Sequence, residues 1–191
     1  MKMRNTVLAV LVLFCFFMVF AQEGEKILDY KTKIVEKETM YFIGITARTS
    51  VAAEDGEEGK ISQLWGRFMQ EGLMMKIQNK VSQSVFGLYY DYEFGEIEAF
   101  TVMVGCQVGN LESVPEGLEG FTAPASRYAE FTTPPGNMIQ VVKDGWEYIW
   151  GKWTDPESKQ RSFVCDYEEY GESSMDMENA VVKLYVSLKG K

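Results

Sequence analysis

An acid, a second acid and a phenol alternate along one short segment of the chain: Asp166, Glu168 and Tyr170. In an extended strand, residues two apart point to the same face of the sheet, so these three side chains would lie together. A carboxylate removed from water requires a compensating cation or hydrogen-bond donors. Glu168 could therefore bind a cationic ligand, or act as a general acid or base on a bound substrate. By position alone, the segment could also be an ordinary strand with one wet face.

Aromatic rings could form the walls of such a site, because a delocalised cation over a Trp or Tyr ring gains about 0.5–2 kcal/mol per contact. All four tryptophans, Trp65, Trp146, Trp150 and Trp153, fall within predicted helices. An aromatic stripe at helical spacing can equally be core. Trp146 and Trp150 are one turn apart on the same face, so we expect at least one of them to reach a binding groove.

Tyrosines also alternate along a predicted strand, at Tyr89, Tyr90 and Tyr92. Neighbouring residues of a strand face opposite sides, so these three cannot all line one pocket. We assign six residues to the candidate ligand site: Glu168, Tyr170, Trp146, Trp150, Tyr90 and Trp65.

Residue types that are missing or scarce exclude several chemistries. The chain contains no histidine, which excludes Ser-His-Asp and Cys-His catalysis and histidine-ligated metals. Beyond the N-terminal apolar run, only Cys106 and Cys165 remain, too few for a structural zinc site. They could pair if the protein is exported, or remain separate buried thiols. We predict no metal and no cofactor.

The N-terminal residues have the pattern of a secretory signal peptide. Lys2 and Arg4 precede an apolar run over residues 7–20, and residues 19–21 fit a small-x-small cleavage site. The run is shorter than the roughly 20 residues that a membrane-spanning helix needs. We expect a signal peptide over residues 1–21, export to the periplasm or the cell exterior, and no stable membrane span after cleavage. An uncleaved anchor is the alternative.

The remaining chain would be strongly acidic. Cleavage removes two basic residues and no acids, which leaves 17 basic against 28 acidic residues and a formal net charge of −11. Such a surface repels phosphate backbones, and no basic stripe offsets it. We therefore predict no nucleic-acid partner and a bias toward cationic ligands. No residue pattern predicts an oligomeric state.

The rest of the sequence contains one pattern twice. After a polar tether over residues 22–33, the first unit (about 34–110) has a strand at 34–46, a helix, and strands at 86–94 and 99–108. The helix shows an apolar face at i, i+3, i+4, i+7 and i+8, formed by Ile61, Leu64, Trp65, Phe68 and Met69.

The second unit (about 121–189) follows a turn-rich connection at 114–120. It has a strand at 126–131, a helix, and strands at 162–170 and 180–188. The apolar face of its helix is formed by Val142, Trp146, Ile149, Trp150 and Trp153. The repeat also shows in the letters, because residues 90–93 (YDYE) match residues 165–168 (CDYE).

Two strand–helix–strand–strand units side by side predict an α+β fold, in which tandem duplicated modules form one antiparallel sheet with two main helices packed on it. The seam between the duplicated halves predicts a central groove, because ligand sites favour such interfaces.

Several segments in this order resemble the gyrase-inhibitor-like effector-binding family, the modules also attached to AraC-type regulators. They are Pro115-Glu116-Gly117, Ala123-Pro124-Ala125-Ser126-Arg127-Tyr128-Ala129, the Trp-rich helix, Asp166-Tyr167-Glu168-Glu169-Tyr170 and the closing strand at 181–188. The resemblance covers residues 34–189. It implies the tandem fold and a groove for bulky, often cationic aromatic compounds. The family's acidic Glu-x-Tyr motif is matched here by Glu168 and Tyr170.

The resemblance favours a stand-alone, exported protein that binds hydrophobic, cationic aromatic small molecules. Regulators with this module carry a helix-turn-helix region ahead of it, where this chain has a signal peptide, so no DNA-binding domain is expected. Two alternatives remain open. One is a hydrolase of strained-ring or xenobiotic compounds, with Glu168 and Tyr170 as catalytic residues. The other is a protein-interaction module.

Overall fold

The computed structural model describes residues 30–56, 59–94 and 98–190. The predicted signal peptide and most of the predicted tether lie outside these residues. The elements are, in chain order, β1 (Lys31–Lys37), β2 (Met40–Ser50), α1 (Val51–Glu54), α2 (Ile61–Gln70), β3 (Val85–Tyr90), β4 (Ala99–Val108), β5 (Glu119–Ala123), β6 (Ser126–Thr132), α3 (Met138–Gly151), β7 (Cys165–Tyr170) and β8 (Lys183–Leu188), with short 3-10 helices at Leu73–Met75, Pro156–Gln160 and Glu172–Ser174. No helix in the described part of the chain is long and apolar enough to cross a membrane.

Eight strands of the described residues form one open sheet in the order β1-β6-β8-β7-β3-β4-β2-β5. Every neighbouring pair is antiparallel. The repeated units are β2-α2-β3-β4 and β6-α3-β7-β8, and they meet where β3 pairs with β7 at the centre of the sheet. The structure confirms the predicted α+β fold, and it makes the β3–β7 pair the seam between the repeats.

The two edge strands are exchanged between the repeats. β1 precedes the first repeat but pairs with β6 of the second, whereas β5 precedes the second repeat but pairs with β2 of the first. The sequence predicted neither strand separately. The expected strand at 34–46 is divided into β1 and β2, β1 begins inside the predicted tether, and β5 begins inside the predicted connection. Both are edge strands whose formation depends on cross-strand pairing more than on their own composition.

The helices cover one face of the sheet. On α2, Leu64 and Phe68 are buried against β2 and β4. On α3, Val141 and Ile149 are buried, and Ile149 packs against β6 and β8. The buried face of α3 is thus rotated about the helix axis from the predicted apolar face. As a result, Trp146 and Trp150 lie at the side of the helix and are half-buried. Trp153 lies beyond the end of α3.

A third, mainly aromatic cluster fills the opposite face, with Phe42, Leu88, Tyr128, Tyr167 and Tyr185 among its buried members. The two cysteines lie on different faces. Cys106 belongs to the cluster under α2 and Cys165 to the aromatic cluster, and both thiols are free. The pairing that export could have allowed is therefore absent from this structure.

Close strand packing in the first repeat depends on a glycine pair, Gly44 opposite Gly105. A Cβ on Gly44 would lie 2.2 Å from the Val104 carbonyl oxygen. We predict that Gly44→Ala lowers the free energy of unfolding by about 2 kcal/mol or more, because the clash is with backbone. The control is Gly66→Ala within α2, whose Cβ would meet only Gln70 Nε2, at 3.9 Å.

The control should stabilise the protein by about 0.5–1 kcal/mol, since alanine favours the helix. Urea denaturation of both variants measures these changes. Equal effects of the two substitutions would contradict the packing described for β2 and β4.

Candidate ligand-binding site

The Glu168 side chain lies at the seam between the repeats. Glu168 occupies the middle of β7, directly opposite Gly87 on β3, and only 2 % of the residue is exposed. The side chain faces the helix-covered side of the sheet. There Trp146 of α3 contacts Glu168 itself, and Trp65 of α2 lies beside Gly87 on β3. The sheet therefore supplies the floor of the site, and the two helices supply its sides.

Three neutral donors hold the Glu168 carboxylate. Tyr89 Oη and Trp146 Nε1 donate to Oε1 at 2.9 and 2.6 Å, and Tyr170 Oη donates to Oε2 at 2.7 Å. Tyr89 belongs to the first repeat, whereas the other two donors belong to the second. The described residues include no lysine or arginine paired with this carboxylate. A buried carboxylate with three hydrogen bonds, and with no counter-cation from the described residues, is thus the centre of the site.

Aromatic edges enclose the carboxylate. Trp65 contacts Tyr170 edge-to-face with ring centroids 4.9 Å apart, and Tyr89 contacts Trp146 in the same manner at 5.7 Å. Gly87 leaves the necessary space, because a Cβ there would lie 3.0 Å from Glu168 Oε2 and 3.2 Å from Trp65 Cζ2. The four rings and the glycine together define what we call the Glu168 groove.

Burial determines the protonation behaviour of the groove. Removal from water raises the pKa of Glu168, and the hydrogen bonds from Tyr170, Trp146 and Tyr89 offset this increase only in part. Burial, followed by the nearby Glu168 charge, raises the pKa of Tyr89 and of Tyr170 well above the ordinary value. Both phenols therefore stay protonated as donors, and the carboxylate is the group whose charge a ligand could change.

Four of the six residues assigned from the sequence come together in this groove: Glu168, Tyr170, Trp146 and Trp65. Tyr90 does not, because the strand alternation places it on the opposite face, 7 % exposed and stacked on Phe121 at 3.8 Å. Tyr89 lies on the helix-covered face instead and donates a hydrogen bond to Glu168. The sequence shows that Tyr89 and Tyr90 point to opposite faces of the sheet. It does not show the register between β3 and β7, which decides which of the two shares a face with Glu168.

Trp150 lies beside the groove instead of in it. It contacts Phe163 and the guanidinium of Arg161, and Arg161 in turn binds Asp166, the other acid on the Glu168 face. Asp166 is fully buried and accepts hydrogen bonds from Arg161 Nη2 at 2.7 Å and from the Ser187 amide and hydroxyl at 2.8 and 2.9 Å. Within the described part of the chain, Asp166 is paired with a cationic side chain, whereas Glu168, on the same strand face, is not.

The similarity between residues 90–93 and 165–168 does not reflect equivalent positions. β3 ends at Tyr90, which pairs with Cys165, so Asp91 and Glu93 lie beyond the strand. The position opposite Glu168 is Gly87. The two repeats share the same order of strands and helices, but matching residues 90–93 with residues 165–168 pairs positions that are not structurally equivalent.

Comparison with known proteins identifies the family. The sequence model of the integron-associated effector-binding proteins, Cass2, matches residues 33–188. The chain belongs to this family. The match confirms the resemblance to gyrase-inhibitor-like effector-binding proteins. Within the Cass2 fold, the Glu168 groove lies between the two repeats that define the architecture.

Other relatives agree with Cass2 membership. YobU of Bacillus subtilis (strain 168), named as a candidate transcriptional regulator, is 31 % identical over 149 residues, which cover 78 % of this chain and 91 % of YobU. The Vibrio cholerae integron cassette protein VCH_CASS2 has a TM-score of 0.66 at 25 % identity, covering 86 % of this chain and all of the other. SAV2435, solved with bound tetraphenylphosphonium, has a TM-score of 0.67 at 17 % identity, covering 84 % of this chain and 94 % of the other.

The uncompensated carboxylate should make this member of the family less stable at neutral pH than a neutral isostere of Glu168 would. Because the folded-state pKa of Glu168 is raised, ionisation destabilises the folded state, fully so above the folded pKa and not at all below the unfolded pKa. We predict that Glu168→Gln raises the free energy of unfolding by about 1 kcal/mol at pH 8. The gain should shrink as the pH falls toward 4.

Urea denaturation between pH 4 and pH 8 measures this difference. Glu169→Gln is the matched control, since Glu169 points to the other face and accepts a hydrogen bond from Tyr185. A Glu168→Gln variant that is less stable than the parent at pH 8 would contradict an uncompensated carboxylate.

Proposed function

We propose that this protein binds hydrophobic, cationic aromatic small molecules in the Glu168 groove and works as an effector-binding protein. The observation that carries the proposal is the Glu168 carboxylate, which is buried among aromatic rings and hydrogen-bonded to neutral donors, with no lysine or arginine of residues 30–56, 59–94 and 98–190 paired with it. The complex of SAV2435 with tetraphenylphosphonium supports it, because that ligand has the proposed charge and aromatic character.

A ligand cation would supply the charge that the groove lacks. Two opposite unit charges about 4 Å apart attract by about 4 kcal/mol at an effective dielectric constant of about 20. The Trp65, Trp146, Tyr89 and Tyr170 rings add cation–π and apolar contacts to this attraction. A neutral aromatic compound would gain only the apolar part, so the groove would favour cations over neutral compounds of equal size.

Entry of the ligand would require the rings to separate, because Trp65 now contacts Tyr170 and Trp146 contacts Tyr89. Trp65 and Trp146 are the side chains suited to this movement. Each is half-buried, and each comes from a helix at the side of the groove and not from the sheet below it. In this scheme the strands stay fixed, and the ligand replaces the Trp146 hydrogen bond to Glu168 with an ionic contact.

A hydrolase is the second candidate function. A carboxyl group whose pKa is raised can exchange a proton with a substrate near neutral pH, and Tyr170 is 2.7 Å from it. The other nearby acid, Asp166, already binds Arg161 and Ser187. Glu168 would therefore act as the acid or base, with Tyr170 as its donor. Product formed from a strained-ring substrate by the parent, and lost in Glu168→Gln, would favour this candidate.

The first test compares charged and neutral ligands. We predict that tetraphenylphosphonium binds more tightly than neutral triphenylphosphine oxide in isothermal titration calorimetry. Glu168→Gln should weaken phosphonium binding about 10- to 100-fold, because the charge attraction is lost, and should leave binding of the oxide within about threefold. The matched Glu169→Gln control, on the opposite face of the same strand, should bind both compounds as the parent does.

Equal affinities for the two compounds in the parent protein would contradict the electrostatic groove. Equal losses for both compounds in Glu168→Gln would do so as well, because a general loss of structure affects neutral and charged ligands alike.

We further propose that the protein is exported and works away from DNA. The basic start and apolar run of residues 1–21 support this, together with the acidic charge of the remaining chain. We predict that expression with a Sec-competent host gives a mature protein beginning at Gln22, as measured by intact mass. Retention of residues 1–21 in a membrane fraction would favour an uncleaved anchor.

A further inference from the structure

A second acid–aromatic site lies next to the Glu168 groove, and a side chain of the protein itself occupies it. The Arg161 guanidinium carbon lies 3.9 Å from the centroid of the Trp150 ring and 4.4 Å from that of Phe163. Its Nη2 donates to Asp166 at 2.7 Å, and Tyr92 Oη donates to the same carboxylate oxygen at 3.3 Å. The Arg161 guanidinium is thus surrounded by a carboxylate and aromatic rings, the same groups that a ligand would meet in the Glu168 groove.

Charge and ring contacts, more than complete hydrogen bonding, explain the position of Arg161. The residue is 8 % exposed, and its Nε has no acceptor among the described residues. Phe163, which packs against it, has a positive φ of 56°, a conformation that is unfavourable for a bulky side chain. Two unfavourable features therefore accompany the neutralisation of Asp166 by Arg161. They are the unpaired Nε of Arg161 and the positive φ of Phe163, both in the segment between Pro156–Gln160 and β7.

The two acid sites are close enough to influence one ligand. Asp166 and Glu168 are two residues apart on the same strand face, which places their backbone positions about 6.5–7 Å apart. The rings around them are also connected. Trp146 and Trp150 are one turn apart on α3, and Phe100 contacts both Tyr89 and Tyr92 with centroids 6.1 and 6.0 Å away. A ligand over Glu168 would extend toward the Asp166 site.

We propose that Arg161 sets the charge selectivity of the Glu168 groove. By neutralising Asp166 from within the chain, Arg161 leaves one uncompensated carboxylate facing the ligand. The groove therefore selects aromatic monocations over dications of the same ring system. This inference rests on the proposed function and adds the specificity-determining residue. Without Arg161, the same strand face would present two carboxylates and would favour a dication.

Ethidium and propidium test the proposal, because they share one phenanthridinium ring and propidium carries an additional quaternary ammonium group. Fluorescence titration gives the ratio of propidium affinity to ethidium affinity for each variant. Arg161→Met should raise this ratio about tenfold, and Asp166→Asn, which leaves Arg161 uncompensated, should lower it about tenfold. Such a change corresponds to unit charges about 12 Å apart at an effective dielectric constant of about 20.

The double variant Arg161→Met/Asp166→Asn removes both charges and should return the ratio to within about twofold of the parent value. Loss of structure alone would not shift the ratio in opposite directions in the two single variants. If both single variants shift it in the same direction, or neither shifts it, the proposal is overturned. If Arg161→Met does not fold, the dye ratio of Asp166→Asn is compared with that of the double variant. These two proteins differ only at residue 161, so the comparison measures the effect of Arg161 on selectivity.

Failure of this inference can be distinguished from failure of the proposed function. If the parent protein binds neither dye, both proposals fail. If it binds ethidium, and Glu168→Gln weakens that binding, but the dye ratio is the same in all Arg161 and Asp166 variants, only the selectivity inference fails.

Discussion

The site depends on one physical constraint, which is that Glu168 holds a carboxylate away from water and is paired with no cationic side chain among the residues that the structure describes. The duplicated fold makes this possible. β7 meets β3 at the centre of the sheet, so the residue in the middle of β7 lies under both helices and far from either sheet edge. Gly87 leaves room for the acid from the opposite strand, and donors from both repeats satisfy its oxygens. An acid at a sheet edge would simply be hydrated.

Asp166 is an acid on the same strand that has a structural role, and its surroundings differ from those of Glu168. It lies on the same face of β7, yet it is neutralised by Arg161 and fixed to β8 through Ser187. Natural proteins commonly pair buried charges in this manner, because an unpaired one is strongly destabilising. The contrast supports a binding role for Glu168, since local structural rules are most often broken at functional sites. The raised pKa of Glu168 is the electrostatic consequence of the same burial.

Much of this arrangement could be predicted from the sequence. Helical and strand periodicity gave both repeats and the antiparallel sheet, and alternation placed Glu168 and Tyr170 on one face. The choice of Tyr90 over Tyr89 was wrong for the groove, because only the β3–β7 register decides which tyrosine faces Glu168. Arg161 was missed because it lies in an irregular segment with no periodic signal, and Trp150 was placed in the groove because the sequence did not show that this arginine covers it. The exchanged edge strands depend on long-range pairing that a local pattern does not contain.

The most direct test of the central claim is the pKa of the Glu168 carboxyl group, measured by ¹³C NMR in the free protein and with saturating tetraphenylphosphonium. If a ligand cation supplies the missing charge, the pKa is above its ordinary value in the free protein and falls in the complex, because the cation stabilises the ionised form. Phosphonium affinity should then rise with pH across the titration of Glu168. An ordinary pKa in the free protein, or a raised one that the bound cation leaves unchanged, would contradict the account.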